Sequence, residues 1–253
     1  MTLELYVVVL SALALIAGAF MQRVAGFGLG MLVAPSLGFL LGPEMGVFLS
    51  NFAGIFASGA LIYVQYKDID WRRAGLLTLF SFPGIWIGAW LTREIPTPWM
   101  QIVVGASVLI ALIASARTKE ITAQTRSIWV TVAFGFIAGI LAAAVGISGP
   151  LMLVFAMLIG WSHPVFTASV QPFFVAMNIF SIIAKLALGS LGASSQLPSL
   201  SYVVPLTLVI ILGIAMGNWA TGRISPTRAR HLSVVLALVS AGLIIVRGIA
   251  GLI

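Results

Sequence analysis

Apolar residues gather into runs at roughly 5–24, 29–41, 44–66, 73–92 and 98–116, then at 127–146, 149–161, 164–188, 201–222 and 229–250, with polar positions mainly in the gaps between them. A helix needs about 20 apolar residues to cross a bilayer, so most of these runs predict membrane-spanning helices, while those at 29–41 and 149–161 are too short. Each short run follows a glycine-rich break, Gly26-Phe27-Gly28-Leu29-Gly30 in one case and Gly146-Ile147-Ser148-Gly149-Pro150 in the other. Glycine permits the sharp turn, and proline suits the first turn of the helix that restarts. Non-helical backbone at membrane depth is tolerated only against protein or a wet cavity, so these breaks mark an interior.

The pattern occurs twice. Ala17-Gly18, Val24, Gly28, Met31-Leu32-Val33, Leu37 and Pro43 recur in register as Ala138-Gly139, Val145, Gly149, Met152-Leu153-Val154, Leu158 and Pro164. A second block, Gly84-Ile85, Gly88, Trp90, Thr92 and Ile95, recurs as Gly213-Ile214, Gly217, Trp219, Thr221 and Ile224. Paired halves with interrupted apolar segments at matching positions point to a secondary transporter and to its binding site. The chain therefore divides into a first membrane repeat at 1–116, a linker at 117–126 and a second membrane repeat at 127–253.

Composition agrees: 61% hydrophobic and 8% charged residues cannot cover a soluble globule of 253 residues. The net charge of +7 sits in short loops rather than in a stripe, which speaks against nucleic acid as a partner. The first run lacks a basic leader and has a counterpart in mid-chain, so it reads as part of the mature fold. Counting only Lys and Arg of short loops, Lys67, Arg72 and Arg73, then Arg117, Lys119 and Arg126, then Arg223, Arg228 and Arg230 mark the cytoplasmic side. Corresponding loops of the two halves then fall on opposite sides. The predicted fold is all-α: a polytopic protein of two inverted repeats, each one Gly-broken helical hairpin plus three transmembrane helices, with both termini external.

In that topology the two hairpin turns meet near the midplane, each presenting a helix N-terminus, which favours an anion. The competing reading is that the glycines only allow close helix packing. Candidate anion-binding groups are the turn residues Gly26, Gly28, Gly30, Ser148 and Gly149, with Arg23 as the embedded cation. Ser50, Asn51 and Gln171 complete the set. Ser50 and Gln171 share a repeat position, and either points a donor at an oxyanion or makes an interhelical hydrogen bond. Gln65 and Asn178 are further polar residues inside apolar runs. Lys185 and Arg247, near helix ends, read as cations snorkelling to an interface. Trp71, Trp99, Trp129 and Trp161 read as an aromatic belt. Glu4, Glu44, Asp68, Asp70, Glu94 and Glu120 all lie at segment ends or in loops, which disfavours a cationic substrate. Proton coupling falls to His163, Glu44 or the substrate itself. With no cysteine, no zinc spacing, no nucleophile elbow and no Walker loop, the sequence predicts neither enzyme nor metal nor cofactor.

Leu32-Val33-Ala34-Pro35 and Pro150-Leu151-Met152-Leu153-Val154 after the two turns, Leu41-Gly42-Pro43-Glu44 with Ser50 downstream, the loop Asp68-Ile69-Asp70-Trp71-Arg72 and the segment Gly84-Ile85-Trp86-Ile87-Gly88-Ala89-Trp90 resemble the TauE/SafE sulfite exporter family, also called the toluene sulfonate uptake permease (TSUP) family. The resemblance spans nearly the whole chain; Gln171-Pro172 departs from it, where a small hydroxyl residue would be expected. It implies secondary transport of small sulfur-containing anions, sulfite or organosulfonates such as sulfoacetate, across the bacterial inner membrane. Export is the expected direction, although no residue encodes direction. A passive anion channel and a non-transporting membrane subunit remain the alternatives. A homo-oligomer is compatible with either.

Overall fold

A computed structural model describes residues 2–117, 127–189, 203–220, 223 and 226–252. Among these residues the chain forms ten α-helices and no strand: α1 (Thr2–Ala25), α2 (Leu29–Leu41), α3 (Pro43–Gln65), α4 (Trp71–Glu94), α5 (Thr97–Arg117), α6 (Ile128–Ala144), α7 (Gly149–Ile159), α8 (His163–Leu188), α9 (Val203–Ala220) and α10 (Pro226–Ala250). Each coincides with one apolar run to within a few residues. The basic residues expected at 118–126, and the loop at 190–202, lie outside the described residues. Tyr6–Ala25, Pro43–Asp68, Trp71–Glu94 and Pro164–Leu188 are long and apolar enough to cross a bilayer. Large apolar side chains such as Leu208, Ile211 and Val246 point outward, as lipid-facing residues do.

Local chemistry sets the helix ends. Pro43 starts α3 and Pro164 lies in the first turn of α8, where the missing N–H costs nothing. Asp70 caps α4, its side chain accepting from the Arg73 backbone N–H at 3.1 Å. Asp70 also accepts from the Trp161 indole N–H at 3.3 Å, and its own backbone N–H donates to the Ser169 hydroxyl at 2.8 Å. The Asp-Ile-Asp-Trp-Arg loop thus fastens the start of α4 onto α8 and the turn before it.

The two halves exchange their fourth helices. One buried cluster joins α1, α2 and α3 to α9, through Leu15, Val33, Ala57, Ile210 and Ile214. Another joins α4 to α6, α7 and α8, through Leu77, Ile85, Ala138, Phe155 and Phe173. A third brings Met100 and Val104 of α5 and Ala241 and Ile244 of α10 against α1–α3 and the second turn. The repeated glycine block explains the exchange. A side chain on Gly84 or Gly88 of α4 would strike the carbonyls of Phe136 or Ile140 on α6, and one on Gly213 of α9 would strike the carbonyl of Ile16 on α1. Small residues here let backbones approach closely, the commonest device of helix association in membranes.

Candidate functional site

Both glycine-rich breaks become turns that open into one cavity. Gly28, the N-cap of α2, has φ +131°, and Gly146, before the N-cap of α7, has φ +78°. Only glycine adopts such angles readily, which is why the breaks carry it. Neither helix start is capped by a side chain. The first-turn N–H groups of α2 and α7 are consequently left without a side-chain acceptor, and an uncapped helix start favours negative charge.

The cavity measures about 50 Å³. The turn residues Gly28, Gly30, Gly146, Ser148 and Gly149 line it from both breaks, α3 contributes Ser50, Gly54 and Ser58, and α8 contributes Asn178. No charged side chain lines it among the described residues. Each helix N-terminus carries about half an elementary charge, so two of them supply about one positive unit, matched to a monoanion. At roughly 10–15 Å³ per water-sized centre, the space suits a few oxygen atoms and no aromatic ring.

Four of the sequence candidates besides Gly28 line this cavity: Gly30, Ser50, Ser148 and Gly149. Gly26 and Gln171 stand behind it. The Gln171 amide donates to the Gly26 carbonyl at 2.9 Å and to the Thr167 carbonyl at 2.7 Å, while its oxygen accepts from Gln22 at 3.1 Å. Gln171 therefore makes the interhelical hydrogen bond that was the alternative reading, and braces the first turn. Asn51 does likewise, donating to Ser181 at 2.6 Å.

Arg23 is the principal departure from expectation, since the structure does not bring it into the cavity. Its guanidinium donates to the Asn218 side chain and, at 3.3 Å, to Gln65, whose amide donates in turn to the Thr167 carbonyl at 3.0 Å. Arg23 reaches the turn only through that relay, because α1 rotates successive residues by about 100° and so directs Gln22 inward instead. Gln22, 3% exposed, donates to Ser58 at 2.6 Å and lines the cavity. Sequence reasoning missed Gln22 and Ser58. The spacing of Ser50, Gly54 and Ser58, four residues apart on one face of α3, is the signal that finds the latter.

Lys185 also departs from expectation: it does not snorkel but is fully buried, at 0% exposure. Its helix continues only to Leu188, yet α3, α4 and α6 pack around α8 and cover that face. Among the described residues no group of three or more His, Asp or Glu is placed to hold a metal.

The chain thus folds as an all-helical protein in which two uncapped helix starts share one polar cavity without a charged side chain among the described residues. The family model described as Sulfite exporter TauE/SafE matches residues 10–244, and the chain belongs to that family. No curated protein and no solved structure matches the chain significantly.

Proposed function

We propose that this protein carries a small, singly charged sulfur oxyanion, sulfite in its monoanionic form or a compact organosulfonate such as sulfoacetate, out across the bacterial inner membrane. The observation that carries this reading is that two uncapped helix N-termini, those of α2 and α7, line one cavity together, with no charged side chain in its lining among the described residues. Backbone N–H groups near Gly28, Gly30 and Gly149 bind the oxygens; the hydroxyls of Ser50 and Ser148 and the amide of Asn178 complete the shell. Helix dipoles and fixed amides hold charge without the desolvation cost of a buried ion pair. Arg23 is a positioning residue, bracing the first turn from outside.

The repeats are inverted in this reading, with the Lys67, Arg72 and Arg73 end cytoplasmic. Support comes from the reciprocal pairing of the halves, in which α1 packs on α9 just as α6 packs on α4. Alternating access then opens the cavity to each side in turn, and coupling to protons draws on the substrate's own ionisation.

Thermal stability of the detergent-purified protein, titrated with sulfite, sulfoacetate, sulfate and acetate, tests the site. Saturable stabilisation by sulfite or sulfoacetate at concentrations where acetate is silent is the expected result. Proteoliposomes then test transport: sulfite accumulation against a gradient distinguishes a transporter from a channel. Silence toward both sulfur anions in both assays overturns the proposal.

A further inference from the structure

The central cavity leaves one buried basic side chain unexplained. Lys185 is wholly buried, and its Nζ has no hydrogen-bond partner, the sole such side-chain atom among the described residues. An amine without a partner in an apolar interior is costly to keep whether it holds its proton or gives it up. A methionine of similar length would fill the same space without that cost.

Its place in the fold indicates what it is for. Gln171, Asn178, Ser181 and Lys185 follow one another on α8 at spacings of seven, three and four, which keeps them on one face. That face meets α3. Asn178 packs against Gly54 and also lines the cavity; one turn on, Ser181 accepts from Asn51 at 2.6 Å. Successive contacts run in opposite chain directions, so the seam leads from the cavity toward the start of α3 and the end of α8. Lys185 stands seven residues beyond Asn178, about 10 Å along the axis.

The charged groups at this end are few. Glu44 lies in the first turn of α3, at the same end of the seam as Lys185, and its Oε1 accepts from the Thr97 hydroxyl at 3.2 Å. Arg93 of α4 donates to the Leu188 carbonyl at 3.4 Å and faces Glu94 at 3.9 Å, both at the exposed end of α8. Of the other elements packed on α8, neither α6 nor α7 carries a titratable residue, and the turn at Tyr66–Asp68, with Lys67 and Asp68, lies near the opposite end of α8, beside Gln65 and Thr167.

We propose that Lys185 is a second holding station for the anion, placed between the central cavity and the Glu44 end of the α3–α8 seam. The ligand is the same small oxyanion, so the inference rests on the reading of the central cavity as its binding site. Leaving the helix starts past Asn178, the anion supplies the buried ammonium with the partner it lacks. Glu44 then replaces it as counter-charge, and the anion is released at that end.

The test compares wild type with K185M and K185R in two assays, sulfite-dependent thermal stabilisation of the purified full chain and sulfite flux in proteoliposomes. K185M is expected to melt higher than wild type without sulfite, because an unpartnered buried amine is gone, to keep sulfite stabilisation through the central cavity, and to lose flux by about tenfold or more. K185R, which keeps the charge but does not give up its proton, retains most of the flux. Wild-type flux in K185M overturns the station while leaving the central site intact; joint loss of stability and sulfite binding in K185M assigns Lys185 a structural role and overturns it too. Equal inactivity of K185R and K185M overturns it in favour of proton carriage. No sulfite response in wild type removes the central site and this station together. Should K185M not fold, amine-specific acetimidate labelling of wild-type proteoliposomes decides: sulfite slows labelling of Lys185 relative to exposed Lys67 if the station exists, and equal labelling, or none of Lys185 during turnover, overturns it.

Discussion

Gly30, in the first turn of α2, lies directly against the carbonyl oxygen of Gly146 in the second turn, so closely that a Cβ on Gly30 would overlap that oxygen. The same arrangement recurs on the other side, where a Cβ on Gly149 would come within 2.7 Å of the Phe27 side chain. The two turns are thus in direct contact, and the spacing of the two helix starts is set by glycine.

G30A should therefore separate the turns. Backbone cannot yield as a flexible side chain can, and overpacking costs about 1–3 kcal/mol or more. A lower melting temperature together with loss of sulfite stabilisation is the expected outcome, measured on purified protein. An unchanged response to sulfite would dissociate the cavity from the turns.

Q171A removes the brace behind the first turn. It deprives the buried Gly26 carbonyl of its 2.9 Å donor and the Gln22 amide of an acceptor. Unsatisfied buried polar groups cost about 1–3 kcal/mol each, so stability should fall by that order. Sulfite affinity should fall with it, as read in the same thermal titration, whereas Q171E should recover neither.

R23A should weaken transport without abolishing binding. The guanidinium lies outside the cavity, bonded to Asn218 and Gln65. Flux at low salt should drop more than flux at high salt, because the Debye length is only about 10 Å at 0.1 M. Complete loss of sulfite binding in R23A would restore Arg23 to direct contact with the anion.

D70A uncaps α4 and frees the Trp161 indole. A lost N-cap costs about 1 kcal/mol. The variant should melt lower, with sulfite affinity unchanged; D70N, which still caps, should lie close to wild type.

Apolar run lengths placed every helix, and the break before each short run located both turns, because in a membrane the backbone has few options besides the helix. The duplicated glycines were legible as a repeat, but their job in the α4–α6 and α1–α9 crossings was not, since contacts between halves leave no local periodicity. The cavity was half legible. Comparison of the repeats singles out shared positions such as Gly28 and Gly149, yet most of the polar lining belongs to one half only: Gln22, Ser58 and Asn178 align with Ala143, Ile179 and Ala57. Lys185 was misread because distance to a helix end says nothing about which neighbours cover it.

The exchange of α4 and α9 bears on how the chain is built. When α1 to α5 have been synthesised, the glycine face of α4 at Gly84 and Gly88 has no partner, because α6 is still to come. The groove on α1 at Ile16 stays open longer still, until α9 arrives. Neither half holds the helices that complete its own cluster, so separately expressed halves would be unfinished rather than smaller, and assembly in the membrane ends only when the last exchanged helix docks.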